Sequence, residues 1–407
     1  MKHRLLVAVS TVLLVVVRTG ASQPWEFGRA VDVTPIHGDG IFHHLESAGR
    51  RSIALSGSTV AVAWEDNRDG TPRVYLARKR IDASDFDAAV RISGDGEAFE
   101  PSIVGFGEDR FAVAWEEDDR VVTRLAAAHA LGPVSPSSDV EGTQANLSAH
   151  ADRLYLTRSQ RVGAHAYIRL RVMREADHLE LLAEDDCVVD ATQPTHDQLY
   201  PSSAVVDDGL VVAWEDRRAG HTIILASASR LDSVCRFTAP VRVSENPPGK
   251  KSNYGKGHGV ARVALGRFGA SDVLAVWADK RNYWEGYDIY AAAYAGNGIF
   301  SSNSKVQDEF GDFARQWHAS VTGNANGMLV VAWDDEREGN SDIALSWFEE
   351  GEWSDDLLLP NASGAGHQAH SSIVIDSDGN LHVAWIERTE INGPTRLRYQ
   401  YGRAVNE

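Results

Sequence analysis

Seven side chains have types and positions that could do chemistry: His44, Glu100, Tyr200, Tyr254, His258, His318 and His370. His318 in QWHAS and His370 in QAHSS each stand fifteen residues before a tryptophan, Trp333 and Trp385, so they occupy equivalent places in two related segments. Glu100 and Tyr200 fall near the same place ahead of Trp115 and Trp214. His258 in KGHGV precedes a longer version of that segment, and His43 with His44 precedes the first. Imidazole exchanges protons near neutrality and can bind a borderline metal. Joined by Tyr200 or Tyr254 and an arginine, such a group could abstract the proton beside the carboxylate of a polyuronate. Packing or ordinary surface placement is the competing explanation of these histidines, and sugar contact without chemistry is a third.

Other constellations are missing. The chain has no HExxH, EF-hand or phosphate-loop pattern, no serine-nucleophile elbow and no Cys–His signature, so no catalytic residue is assigned and no motif specifies a divalent metal. Glu116–Glu117 and Asp334–Asp335 are adjacent in sequence. Adjacent strand side chains point to opposite faces, so neither pair is the facing acid–base pair of a glycosidase.

The elements that must position these residues follow from a repeat. Six related segments, VAVAWEDNRDG, FAVAWEEDDR, LVVAWEDRRAG, VLAVWADKRN, MLVVAWDDEREG and LHVAWIER, place tryptophans at 64, 115, 214, 277, 333 and 385. Their gaps run from 51 to 63 residues except for one of 99, in which RLYLTRSQRVGAHAYIRLRVM (153–173) fits as a degenerate unit, with Leu156 or Thr157 where the tryptophan would stand. Each unit reads as four short strands, partly alternating and separated by Gly, Asp and Asn. Four-stranded sheets set radially solve the edge-strand problem, so the expected fold is an all-β, seven-bladed β-propeller. The last unit runs out at RLRYQYGR (396–403) without a fourth strand, and WEFGRAVDVT (25–34) resembles the outer strands elsewhere. The N-terminal segment is therefore expected to complete the C-terminal blade. Six blades with 146–173 as an insertion is the alternative.

The W-x-D-x-R pattern reads as architectural. Asp66 and Arg68, Asp216 and Arg218, Asp279 and Arg281, and Asp335 and Arg337 stand two apart at strand ends, and a planar guanidinium can bond a carboxylate or turn carbonyls there.

The 407-residue chain has a formal net charge of −18, which disfavours nucleic acid or an anionic membrane as partner. Lys2 to Arg4, the apolar run Leu5 to Val17 and the small residues Thr19 to Ala21 read as an export signal over 1–21, leaving 22–407 as one propeller domain, secreted or periplasmic, with no integral membrane segment. Cys187 and Cys235 could pair in an oxidising compartment. The insertion 244–262 carries Lys250, Lys251, Lys256 and Arg262 in an acidic protein and could hold an anionic sugar; RNYWEGYDIY (281–290) adds aromatic rings.

The repeated AWEDNRDG, AWEDRRAG and AWDDEREG segments, over about 44–401, resemble those of the broad family of secreted sialidase-like and related bacterial β-propellers. The resemblance implies a glycosidase, a polysaccharide lyase or a noncatalytic carbohydrate-binding protein. The sialidase S-x-D-x-G-x-x-W box is absent in good form, IDSDGNLHVAW being a distant echo, and so is a set of three arginines with a tyrosine–glutamate pair. The favoured expectation is a propeller that binds glycans or an extracytoplasmic protein without assured catalysis. The alternative is a carbohydrate-active enzyme, hydrolase or lyase, with a histidine-lined axial site.

Overall fold

Runs such as TVAVAWED and GLVVAWED are apolar on both faces, as strands buried between two layers must be. The computed structural model describes residues 23–405 except 36–37, 39, 46–48, 137–140, 193–194, 246–258, 282–285, 295, 297, 312 and 350. Among the described residues the chain folds into seven antiparallel sheets, four of four strands and three of five. They are the blades of a β-propeller, each running from an inner strand at the axis to an outer strand at the rim. The six-blade alternative fails because Gly142–His150, Arg153–Val162, His165–Glu175 and Leu181–Val188 form a sheet of their own, which is blade 3.

Tryptophans of the second strands pack between blades. Trp115 lies among residues of blades 1 and 2, Trp277 among those of blades 4 and 5, and Trp333 among those of blades 5 and 6. The indole N–H of Trp64, Trp214, Trp277 and Trp333 donates to the aspartate two residues on, at 2.8, 3.1, 3.0 and 2.9 Å. That aspartate in turn accepts from the arginine two further along, as in Arg218 Nε to Asp216 at 2.8 Å and Arg281 Nη2 to Asp279 at 2.6 Å. The W-x-D-x-R pattern is thus a relay that ties a buried ring to its turn.

Blade 3 departs from this rule, and the sequence expectation needs correction. Asn146 pairs with Thr157 as Ser102 pairs with Ala114 in blade 2, so the slot of Trp115 is filled by Arg158, not by Leu156 or Thr157. The Arg158 side chain is fully buried and reaches Asp186 at 2.8 Å and Gln160, again two residues on, at 3.0 Å.

The ring closes as expected. Trp25–Phe27 and Val31–Asp32 both pair with Thr395–Ala404, the third strand of blade 7, in the registers Trp25↔Ala404 and Val31↔Tyr399. Trp25 wedges edge-on against Trp347 of blade 6, with ring centroids 5.7 Å apart, and donates to the Gly379 carbonyl at 2.8 Å. Cys187 of the outer strand of blade 3 is disulfide-bonded to Cys235 of blade 4, with Cα atoms 5.8 Å apart. Among the described residues no helix is long and apolar enough to cross a membrane. The expected export signal lies outside the described residues.

Two outcomes follow. Trp25→Ala should cost about 3–5 kcal/mol in a denaturant titration, since it empties the closure seam; an unchanged midpoint would reject the clasp. Replacing both cysteines with serine should cost about 2–4 kcal/mol, because the bond closes a 48-residue separation in the unfolded chain. Equal melting of reduced and oxidised protein would refute that.

Candidate functional site

Each inner strand from blade 2 to blade 7 carries a β-bulge at the same place. The pairing slips between Phe99 and Ser102, Thr143 and Asn146, Leu199 and Ser202, Ala261 and Ala264, Trp317 and Ser320, and Ala369 and Ser372. In every case the extra residue is left-handed: Glu100 at φ 53°, Gln144 at 60°, Tyr200 at 51°, Arg262 at 59°, His318 at 51° and His370 at 57°. A non-glycine residue there costs about 1–2 kcal/mol. The bulge re-aims its side chain out of the strand pleat. Most of these residues also give their backbone N–H to a side chain of the preceding blade. Glu100 donates to Glu65 at 2.6 Å, Gln144 to Glu116 at 2.6 Å, Arg262 to Glu215 at 2.8 Å and His370 to Asp334 at 2.9 Å. These acceptors follow the blade tryptophans directly. Tyr200 donates instead to Gln144 at 2.7 Å, as blade 3 has no such carboxylate.

Blade 1 expands the bulge. His44 pairs with Glu65, yet pairing resumes only at Ile53 with Val62. Gly49, from the chain between them, enters the axis. Gly49 has φ 101°, and a Cβ there would stand 2.6 Å from the Val263 carbonyl of blade 5, so only glycine fits. Its carbonyl accepts from the Asn146 amide of blade 3 and from the Ser202 hydroxyl of blade 4 at 3.4 Å. Gly49 therefore plugs the channel. The next residue, Arg50, lies two before Ser52 as Glu100 lies two before Ser102, and its guanidinium bonds Glu100 and, at 3.4 Å, Glu116.

Four of the seven candidates from the sequence come together in one arc. His318 and His370 stack with ring centroids 4.3 Å apart, and His44 meets His370 edge-on at 5.5 Å. His44 Nδ1 is 3.6 Å from Glu65, the carboxylate that holds Glu100. Tyr200 lies further round, under the Arg262 guanidinium at 3.4 Å. Tyr254 and His258 lie outside the described residues. Of the aromatic insertion, Tyr287 stacks on Trp317 at 4.2 Å, next to His318.

Asp334 organises the arc. One of its oxygens is 2.8 Å from His318 Nδ1, while the carboxylate also accepts the His370 N–H. An ionised carboxylate only accepts, so Nδ1 of His318 carries the proton and Nε2 the lone pair. A cleft of about 460 Å³ opens here between blades 6 and 7, lined by Trp317, His318, Asp334, His367, His370 and Arg388 among others. Burial, with the His318 ring beside it, pushes the His370 imidazole down to about 3, so it stays neutral at physiological pH. Across the arc, Glu100 and Glu116 both bond the Arg50 guanidinium. Burial, with Glu100 beside it, pushes Glu116 up to about 7; Glu100 is also buried, but Arg50 more than offsets this and holds it below its ordinary value. The pair therefore carries one proton near neutrality, on Glu116.

Among the described residues no group of three or more His, Cys, Asp or Glu side chains has a metal-binding arrangement. Of the three imidazoles, His318 and His370 stack and His44 meets His370 edge-on. Sequence reasoning missed Arg50, Gln144 and Arg388 as site residues and Asp334 as their organiser. It met Arg262 only as part of the basic insertion, although Arg262 stands fifteen residues before Trp277, the same spacing that singled out His318 and His370.

No protein-family model matches the chain, and no curated protein matches it in sequence. Solved structures do resemble it. The polysaccharide lyase Uly1 is similar with a TM-score of 0.56 at 10% identity, over 88% of this chain and 90% of that one. The GH93 α-L-arabinofuranosidase of Fusarium graminearum, solved with arabinobiose, is similar with a TM-score of 0.50 at 10% identity, over 91% and 98%. At such identity the likeness establishes the fold, a β-propeller shared with carbohydrate-active enzymes, and does not single out the sialidase-like members.

Proposed function

We propose that the protein is an exported carbohydrate-active enzyme that cleaves a uronate-containing glycan by β-elimination, with His318 as the base. The observation that carries this reading is the 2.8 Å contact between His318 Nδ1 and Asp334, which leaves an oriented lone pair on Nε2 at the cleft. Arg388 lines the same cleft and spends one N–H on the Ile391 carbonyl at 3.2 Å, which makes it a partner for the sugar carboxylate. Trp317 supplies an apolar ring face for the sugar. Chemically, His318 Nε2 takes the proton beside the carboxylate, and the ring carbanion expels the neighbouring glycosidic oxygen with its electron pair. That oxygen takes a proton from the arc, where Glu116 holds one near neutrality. The product is an unsaturated uronate.

Hydrolysis by paired carboxyls is disfavoured by the geometry. Glu100 and Glu116 are drawn together on the one Arg50 guanidinium, whereas glycosidase carboxyls flank the scissile bond at about 5 Å or more. The similar structures include a polysaccharide lyase and an arabinofuranosidase, which favours action on a glycan over simple binding. The apolar N-terminal run and the disulfide favour export.

A panel of polyuronates and neutral glycans tests the reading through the absorbance of the unsaturated product. His318→Ala should lower kcat about 10²–10⁴-fold, and Arg388→Met should raise KM about 10–100-fold on uronates alone. Saturable binding with no product, unaffected by His318→Ala, would establish a noncatalytic lectin instead.

The pH profile gives an independent check. Glu116 is a raised carboxyl, protonated below about 7 and ionised above it, so a rate that needs its proton falls as pH climbs through that value. Glu100→Gln removes a like charge and should move this limb to lower pH. An alkaline limb that stays in place would remove Glu116 from the mechanism.

A further inference from the structure

Beyond the Gly49 plug the axis continues towards the opposite face as a second cavity, of about 330 Å³. Its wall draws on all seven inner strands, from Ala54 of blade 1 to Ile373 of blade 7, and aliphatic residues and glycine make up most of it. Among the described residues only two charged side chains line it, Arg51 and Arg267, and both are positive. Arg267 is answered by Asp207 at 2.5 Å. Arg51 is not.

The Arg51 side chain leaves blade 1 directly behind the plug and spans the channel to blade 5, where Nη2 donates to the Leu265 carbonyl at 3.0 Å. It is half-buried between the channel walls and lines the cavity. A guanidinium has five N–H donors, and a carbonyl is a neutral acceptor. Burial lowers its proton affinity with no carboxylate to oppose the effect. Arginine nevertheless stays charged in proteins, and an enclosed charge with no counter-charge is strongly disfavoured. Equivalent positions in other blades hold Pro101, Ala145, Pro201, Val263 and Ala319, so the charge is peculiar to blade 1.

We propose that this lower cavity is a binding site for a small inorganic anion of the halide class, held by the Arg51 guanidinium. The plug bars it from the cleft at His318, so the site is independent of the proposed reaction. The hydroxyls of Ser148 and Thr322 line the same wall and offer further polar contact. An anion there would fasten the blade 1 loop to the far side of the channel, and with it Gly49 and Arg50.

The test uses bromide as the probe. Crystals of the full mature chain grown in sodium bromide should show an anomalous peak beside the Arg51 guanidinium. The protein should also melt roughly 1–3 °C higher in bromide than in a bulky organic anion at equal ionic strength. Arg51→Met should abolish both the peak and the salt-specific shift while retaining activity. Wild-type crystals with no anomalous peak in the cavity at saturating bromide would overturn the proposal, and they decide the matter even if the variant fails to fold. A shift of the same size in Arg51→Met would also overturn it.

Discussion

Seven strands converging on one axis leave seven inner edges whose backbone groups have no further strand to pair with. In blades 1, 3, 4, 5 and 7 the structure answers this with a hydrogen bond from the inner edge to a side chain of the blade before it. Ser52 N donates to Ser372, Leu147 N to Ser102, Leu265 N to Ser202 and Ile373 N to Ser320, all at 3.0 to 3.2 Å. Ser203 N uses the Asn146 side chain in the same way, at 2.9 Å. A buried N–H without a partner costs about 1–3 kcal/mol, so these short polar side chains are required by the geometry of the ring. The direction never varies: the later blade donates and the earlier one accepts.

The candidate site is the upper end of the same seam. Two residues above each seam serine or asparagine sits the bulge residue, and in blades 2, 3, 5 and 7 its N–H again goes to the preceding blade, now to the carboxylate after the tryptophan. A charge-assisted bond of this type contributes about 1.5–3 kcal/mol, enough to offset a left-handed residue. Sevenfold repetition thus fixes where the axial side chains stand, while their identities are free to differ. Arg50, Glu100, Gln144, Tyr200, Arg262, His318 and His370 share one backbone position and comprise five residue types. An asymmetric site arises on a symmetric scaffold without any departure from its rules.

This explains what was legible in the sequence. Tryptophan repeats and the resemblance of 25–34 to outer strands survive in residue types, so blade number and closure could be read. Blade 3 kept its strands but exchanged tryptophan for Arg158, a swap invisible to a search for aromatic residues yet preserving the contact to the side chain two residues on. Counting back from the tryptophan worked for His318 and His370, but it depends on hairpin length. Ser202 pairs with Ala213 and Ser102 with Ala114, so the blade 4 hairpin is one residue shorter and the count becomes fourteen. Fourteen before Trp64 is Arg50. His44 sits higher on its strand, beside Glu65, and joins the arc through ring contact instead of through equivalence. In the sequence Asp334 reads only as the neighbour of Asp335 on the opposite face of a strand. That alternation sends Asp335 to Arg337 and Trp333, and Asp334 to the axis.

Asp334 also links the closure of the ring to its chemistry. It belongs to blade 6, orients His318 of the same blade and holds the backbone of His370 in blade 7. Blade 7 is the one completed by the N-terminal strand, whose Trp25 packs back onto Trp347 of blade 6. The seam between these two blades is therefore fastened at the rim by Trp25, midway by Ser320 and at the axis by Asp334. Rotation of blade 7 against blade 6 would strain the His370 N–H bond to Asp334, the carboxylate that also orients His318. A neutral His370 stacked on His318 resists such movement without adding a second charge beside the base. Had His370 been protonated, it would have lowered the basicity of its neighbour and competed for the Asp334 carboxylate. Burial of His370 thus serves the packing of the seam and the reactivity of His318 at once.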